Sequence, residues 1–230
     1  MQTTLNFSAA EFASIKKLIS SFEKLPSSSQ HEEIRANHKG CSITLYKSGK
    51  LLIQGENHKE VASEILLSLK IPPEIIVGID EVGRGENNGP FVISAVLADR
   101  NSMRQFRDSK KTSGINEKAA IVSEKALAIA SYSVNAGLID ELRGKGMTMN
   151  EIEEAAIDSM ASFFRSIYPP ARIIVDGNPM KTKSKGIEFI PKADDKEAVV
   201  GAASLVAKST RNSSSDKKTR KSWKQNHFDL

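Results

Sequence analysis

Cysteine is nearly missing from these 230 residues: Cys41 stands alone, which excludes a disulfide within the chain and any cysteine-rich zinc site. Histidine is almost as scarce. His31, His38, His58 and His227 are scattered with no pair at metal-ligand spacing, so imidazole and thiolate metal chemistry are set aside. Long apolar runs are lacking too. The stretch Phe91 to Ala98 is far too short to cross a bilayer, and the opening MQTTLNFSAAEF has no basic start followed by an apolar core. A cytoplasmic chain that is neither exported nor held in a membrane is expected.

What is present is an ordinary globular composition, 39% hydrophobic and 27% charged, over a length that suits one well-buried domain with room for a second small one. The net charge of +5 is unevenly placed. Residues 211–230 hold six Lys/Arg against Asp216 and Asp229, which accounts for +4 of it. Two readings of this tail stand: a basic patch that attracts phosphate-rich partners in a salt-dependent way, or a solvated terminus that only aids solubility.

Ser8-Ala9-Ala10-Glu11 is a capping-box pattern, and Phe12, Ile15, Leu18, Ile19, Phe22 and Leu25 follow at helical spacing. Alternation then takes over, with Ile43 and Leu45, a Ser48-Gly49 turn, and Leu51 and Ile53, which predicts a hairpin. Val61, Ile65 and Leu69 restore the helical period until Pro72-Pro73, where missing amide donors and a fixed φ end the segment and mark the expected domain boundary. Beyond it, Ile75 to Ile79 reads as a buried strand stopping at Asp80, Phe91 to Leu97 as its antiparallel partner, and Ala-rich residues 117–131 as a helix. Asn150 and Glu153 are candidate caps for the next helix, whose inner face is Ile152, Ala156, Met160 and Phe163 to Phe164. Ile173 to Val175 is a strand that again ends on an aspartate, Asp176, and Ile187 to Ile190 is another. Alternation of strands and helices from there predicts a partly parallel sheet. The small residues from Val199 to Ser209 predict a helix packed close to that sheet.

Strand ends thus carry Asp80-Glu81 and Asp176, and Asp194-Asp195 precedes the small-residue helix. Carboxylates without His or Cys suit hard cations such as Mg²⁺ or Mn²⁺, and two such ions about 3.5–4 Å apart serve phosphodiester hydrolysis. Acids at strand ends also serve as turn and cap residues, so this grouping alone leaves both roles open. The stretch Gly83 to Pro90 is not a dinucleotide-binding loop, because its glycine spacing fails and a strand follows where a helix is required. An arginine between glycines, Gly83-Arg84-Gly85, instead lets backbone amides approach a sugar or phosphate beside a guanidinium.

The string Gly78-Ile79-Asp80-Glu81-Val82-Gly83-Arg84-Gly85, then Gly89-Pro90, then Asp108-Ser109-Lys110-Lys111, resembles the opening of the type 2 ribonucleases H. Ile174-Val175-Asp176-Gly177 and Lys192-Ala193-Asp194, with Val200 to Lys208 after it, resemble that family's later blocks in the same order. Gly40 to Gly55 resembles the TATA-binding-protein-like domain that precedes the nuclease in ribonuclease HIII. The resemblance implies an α/β fold: a ribonuclease H-like mixed sheet flanked by helices, preceded by a small α+β TBP-like domain. The expected division is 1–71 for substrate binding, 74–211 for catalysis and 212–230 as a basic tail. It implies that Asp80, Glu81, Asp176 and Asp194 are catalytic and bind two Mg²⁺ or Mn²⁺ ions, with Asp195 in reserve for the fourth place. Gly83, Arg84 and Gly85 would touch ribose 2′-hydroxyls, and Lys110, Lys111, Ser204 and Lys208 would hold phosphate. Lys111 as a solvated loop charge and Ser204 as a helix-packing residue remain open.

The implied activity is hydrolysis of the RNA strand of an RNA/DNA hybrid duplex to 5′-phosphate and 3′-hydroxyl ends, by a monomer with no small-molecule cofactor. Features of ribonuclease HII are mixed in: the Gly-Arg-Gly loop and an Asp in the fourth acidic position. No tyrosine follows Tyr168, although in ribonuclease HII a later tyrosine works with that loop at RNA–DNA junctions. Cleavage at single embedded ribonucleotides, a non-catalytic hybrid-binding protein and a nuclease of DNA specificity are the alternatives.

Overall fold

A computed structural model of the chain describes residues 1–106 and 114–223. Lys110 and Lys111 lie outside the described residues. The chain divides into two compact units, Met1–Glu74 and Ile75–Leu230. Among the described residues, no helix is long and apolar enough to cross a membrane.

The first unit runs β1 (Gln2–Asn6), α1 (Ala9–Ile19), β2 (Glu23–Leu25), β3 (Glu32–His38), β4 (Cys41–Tyr46), β5 (Lys50–Gln54) and α2 (His58–Ser68). Its sheet is antiparallel, in the order β1-β5-β4-β3-β2. The expected hairpin is β4-β5, with Ile43 opposite Ile53 and Leu45 opposite Leu51. The expected capping box starts α1, where the Ser8 N–H donates to the Glu11 carboxylate at 2.8 Å. Side chains alternate across a strand, so Cys41, Ile43, Leu45, Leu51 and Ile53 share one face and bury themselves against Ile15 and Ile19 of α1 and Val61 and Ile65 of α2. The opposite face carries Ser42, Thr44, Tyr46, Lys50, Leu52 and Gln54. Strand β1 went unread in the sequence, because its single buried position, Leu5, leaves too weak an alternation.

The second unit runs β6 (Ile75–Val82), β7 (Phe91–Asp99), a 3-10 turn (Arg100–Phe106), α3 (Ile115–Lys125), β8 (Ala128–Val134), α4 (Ala136–Gly144), α5 (Met149–Ile167), β9 (Arg172–Asp176), β10 (Ile187–Ile190), a 3-10 turn (Ala193–Asp195) and α6 (Ala198–Asn212). The sheet order is β10-β9-β6-β7-β8. Strands β10, β9 and β6 are parallel, while β7 and β8 pair antiparallel, so the sheet is mixed as expected. Helices cover both faces. Ile76, Val96, Ala98 and Ile174 pack with α6 and with Val122 of α3. Val77, Ile79, Ile93, Ala95, Leu97, Ile173 and Val175 pack with α5 and with Ile139 of α4.

Three local expectations are corrected. The helical spacing read through Phe22 and Leu25 breaks off at Ile19, and Glu23–Leu25 form strand β2 because they pair with β3. The helix predicted over 117–131 stops at Lys125, and 128–134 form edge strand β8, entered when the Leu127 N–H donates to the Leu97 carbonyl at 2.8 Å. Alanine favours helix, but pairing with β7 outweighs that small preference. Helix α5 is capped by Thr148, whose hydroxyl accepts from the Glu151 N–H at 3.2 Å while its own N–H donates to the Glu151 carboxylate at 2.7 Å. Asn150 and Glu153 are therefore not its caps.

Helix α6 presses on β6 as its small residues predict. A Cβ on Gly78 would lie 2.5 Å from the backbone of Val199 and Val200, and one on Gly201 would lie 2.5 Å from the Phe106 carbonyl oxygen.

Candidate active site

The sheet's two-residue period decides which acids meet. Ile76 and Ile174 face α6, so Asp80 and Asp176, an even number of residues further along β6 and β9, face the same way. Parallel pairing of Ile79 with Val175 brings the two strand ends together. The turn before α6 delivers Asp194, and the Asp176 carboxylate fixes that turn by accepting the Ala193 N–H at 2.6 Å. Asp80, Asp176 and Asp194 each offer a carboxylate oxygen, all within 4.8 Å of one another. Asp80 and Asp194 are buried, at 7% and 0% exposure. Asp195 is half-buried and stands outside this group.

Glu81 leaves β6 on the opposite face, toward α5. Burial pushes its carboxyl up, against the Arg84 guanidinium and backbone amide, which hold it down. It lines a cavity of about 670 Å³ with Asp80, Arg84, Asn150, Glu153 and Asp176. The three aspartates thus converge, while Glu81 sits across the strand at the edge of the same cavity.

Burial pushes Asp80 up to about 7, and the nearby Asp176 and Asp194 charges add to this against hydrogen bonds from Ser204 and the Glu81 N–H. Like charges gathered where water is scarce are costly unless a cation joins them. That strain, together with a donor set of carboxylate oxygens alone, fits a hard divalent ion. Ser204 is 1% exposed, and its hydroxyl is shared between Asp80 and the Lys208 ammonium, which donates to it at 2.9 Å. Its hydrogen bonds are with Asp80 and Lys208, and it packs within α6 with little exposed surface.

Gly83 and Arg84 follow β6 directly. Gly83 has φ +82°, a left-handed backbone in which a Cβ would meet Arg211 Nε at 2.5 Å. Gly85 has open space beside it. The Arg84 side chain lies toward α5, with Nε 2.8 Å from Glu153 Oε2 and Nη2 bonded to Asn150 Oδ1. Glu153 is 4% exposed, and burial raises it to about 7 although Arg84 opposes the rise. Asn150 and Glu153 were missed as site residues because they read as helix caps. The available signal was Thr148-x-x-Glu151, a better capping box that moves the helix start, turns Glu153 inward and leaves Asn150 exposed at the cavity rim.

Several comparisons bear on this geometry. The family described as Ribonuclease HII matches residues 77–228, and Domain of unknown function (DUF3378) matches residues 2–70. A Ribonuclease HII of Ligilactobacillus salivarius is 34% identical over 86% of this chain and 77% of its own length. One from Clostridium botulinum strain Hall is 32% identical over 60% of this chain and 52% of its own, so the chain spans about half of that relative. Among solved structures, Bst-RNase HIII in complex with Mn²⁺ is similar with TM-score 0.56 at 18% identity, covering 92% of this chain and 81% of that one. Aquifex aeolicus RNase H3 gives 0.52 at 21%, over 91% and 84%. These two likenesses concern the fold alone. With the family matched across the whole mixed sheet and its acidic edge, the chain belongs to the ribonuclease HII family.

Proposed function

We propose that this ribonuclease H hydrolyses the RNA strand of RNA/DNA hybrids at Asp80, Glu81, Asp176 and Asp194, leaving 5′-phosphate and 3′-hydroxyl ends. The observation that carries the site is the convergence of three buried or half-buried aspartates, with the Gly83-Arg84-Gly85 loop following directly from the Asp80 strand. Asp80, Asp176 and Asp194 would hold Mg²⁺ or Mn²⁺, with Glu81 completing a two-ion set. Bound there, the metal supplies charge neutralisation at the scissile phosphate and a more acidic water.

The remaining residues bind and orient. Ser204 holds the Asp80 carboxylate by a hydrogen bond, and Lys208 is half-buried at the far side of that hydroxyl, where its ammonium meets a phosphate. Gly83, Arg84 and Gly85 bring backbone amides and a guanidinium to the ribose 2′-hydroxyl, the group that distinguishes RNA from DNA. Lys110 and Lys111 hold phosphate. Residues 1–71 add a second grip on the duplex through Tyr46, Lys47 and Lys50 on the β4-β5 hairpin, while 74–211 carry catalysis and 212–230 form a basic tail. The protein works as a cytoplasmic monomer.

Cleavage within an RNA run is the preferred reading over cleavage at a junction, and the substrates below separate the two. Mapping cuts on a long hybrid, a DNA duplex with one embedded ribonucleotide and plain duplex DNA tests the reading. Cuts confined to the hybrid's RNA strand, abolished by EDTA, are expected. Equal cutting of duplex DNA would overturn the hybrid specificity, and preference for the single ribonucleotide would assign junction cleavage instead.

A further inference from the structure

The loop that carries Arg84, residues 83–90, is held from behind by the C-terminal segment. Arg211, at the end of α6, donates from Nε to the Pro90 carbonyl at 3.1 Å and from Nη2 to the Asn88 carbonyl at 3.0 Å, and pairs with Glu86 at 2.6 Å. The chain then turns back and runs along the loop. The Gly89 N–H donates to the Lys218 carbonyl at 2.9 Å, Asn88 bridges Thr219 in antiparallel fashion, and the Arg220 N–H donates to the Asn87 carbonyl at 2.8 Å. Arg220 is 1% exposed. Its Nε donates to the Gly89 carbonyl at 2.9 Å and its Nη1 reaches the Arg84 carbonyl at 3.5 Å.

The segment is itself anchored at two points. The Asp216 carboxylate accepts the Ala136 N–H at the start of α4 at 2.7 Å. The Asp140 carboxylate accepts the N–H groups of Lys221 and Ser222, each at 2.9 Å, and the Ser222 hydroxyl at 2.7 Å.

We infer that Arg211 and Arg220 are positioning residues that aim Arg84 at the RNA strand, acting through the backbone of the 83–90 loop. The inference rests on the reading that this loop senses ribose. Gly83 and Gly89 adopt positive φ, a conformation that gives such a loop many alternatives when it is unsupported. Ordering it on binding would subtract from affinity, and a clamp that orders it beforehand removes that loss. Two of the six cations counted in the basic tail therefore face protein carbonyls and not the substrate. Arginine is required because its planar fork serves two carbonyls at once, which an ammonium on a flexible stem does not.

The test is steady-state cleavage of a labelled RNA/DNA hybrid by the full chain and by Arg211→Lys, Arg220→Lys, Arg84→Ala and each double variant with Arg84→Ala, with thermal unfolding of every protein. Each lysine variant is expected to raise KM about tenfold while kcat moves less than about twofold, and this rise is expected to vanish in the Arg84→Ala background. Folded lysine variants with the original KM, or the same rise with and without Arg84, would overturn the clamp. Arg84→Ala with the original KM would instead overturn the ribose-sensing reading beneath it. Should Arg220→Lys fail to fold, Arg211, whose side chain is 16% exposed, decides the matter alone.

Discussion

Asp80 and Glu81 are neighbours in the chain yet leave β6 on opposite faces, and this alternation gives them different partners. Asp80 shares a largely buried group with Asp176 and Asp194, whose charges oppose its own ionisation. Its native pKa of about 7 lies above the ordinary 3.8, so its ionisation works against the fold as pH rises across that interval and fully above it. Asp80→Asn removes the charge. At pH 7.5 without metal, the variant is expected to unfold at a higher temperature than the original chain while losing more than the roughly 100-fold in activity typical of outer-shell metal partners. Scanning calorimetry beside a cleavage assay checks both. Across the strand, Glu153→Gln loosens the Arg84 guanidinium, and a rise of about fivefold in KM is expected, with little change in kcat, from steady-state kinetics on a hybrid.

Elements are held at distances that only particular residues allow. Gly78 lets the α6 backbone come against β6, so Gly78→Ala forces one to move and is expected to destabilise the second unit by about 1–3 kcal/mol in urea unfolding. The anchor between the C-terminal segment and α4 responds to acid. The Ala136 N–H donated to Asp216 holds that carboxyl below its ordinary 3.8. Its stabilisation is complete above the ordinary value and disappears as pH falls through the lower native one. The original chain should therefore lose stability relative to Asp216→Asn on acidification below about pH 4, and urea midpoints of the two proteins should converge there. Many elements were legible because their apolar patterns are clean: alternation marks β4-β5, continuous apolar runs mark β7 and β9, and small residues mark α6, while β6 runs on past Asp80 to Val82 because its pairing with β7 continues there. Residues 128–134 were not, since alanine-rich composition suits a helix and only the partner strand β7 makes them β8. The N-cap of α5 lies two residues before Asn150, since Thr148-x-x-Glu151 is the complete capping box and outweighs the Asn150 pattern beside it.

At the scale of the molecule, the acidic edge was legible as four residues but not as a geometry. The period of two says that Asp80 and Glu81 diverge, yet which of them joins Asp176 depends on the pairing register of β6 with β9, Ile79 beside Val175, which the sequence does not state. The C-terminal segment was the least legible part. Its cations read as a surface patch, whereas Arg220 is buried and Asp216 and Asp140 tie the segment down through contacts with residues about 80 positions away. Metal binding should appear as stability of the whole second unit, because an ion that favours only the folded cluster raises the melting temperature with its concentration. Adding Mn²⁺ is expected to do so for the original chain and not for Asp176→Asn. The most direct test of the account is cleavage of a long labelled hybrid at saturating Mn²⁺ by purified, folded Asp176→Asn protein. No RNA fragments above the EDTA control are expected, and cuts in the RNA strand at the original rate would contradict the placement of the reaction at Asp80, Asp176 and Asp194.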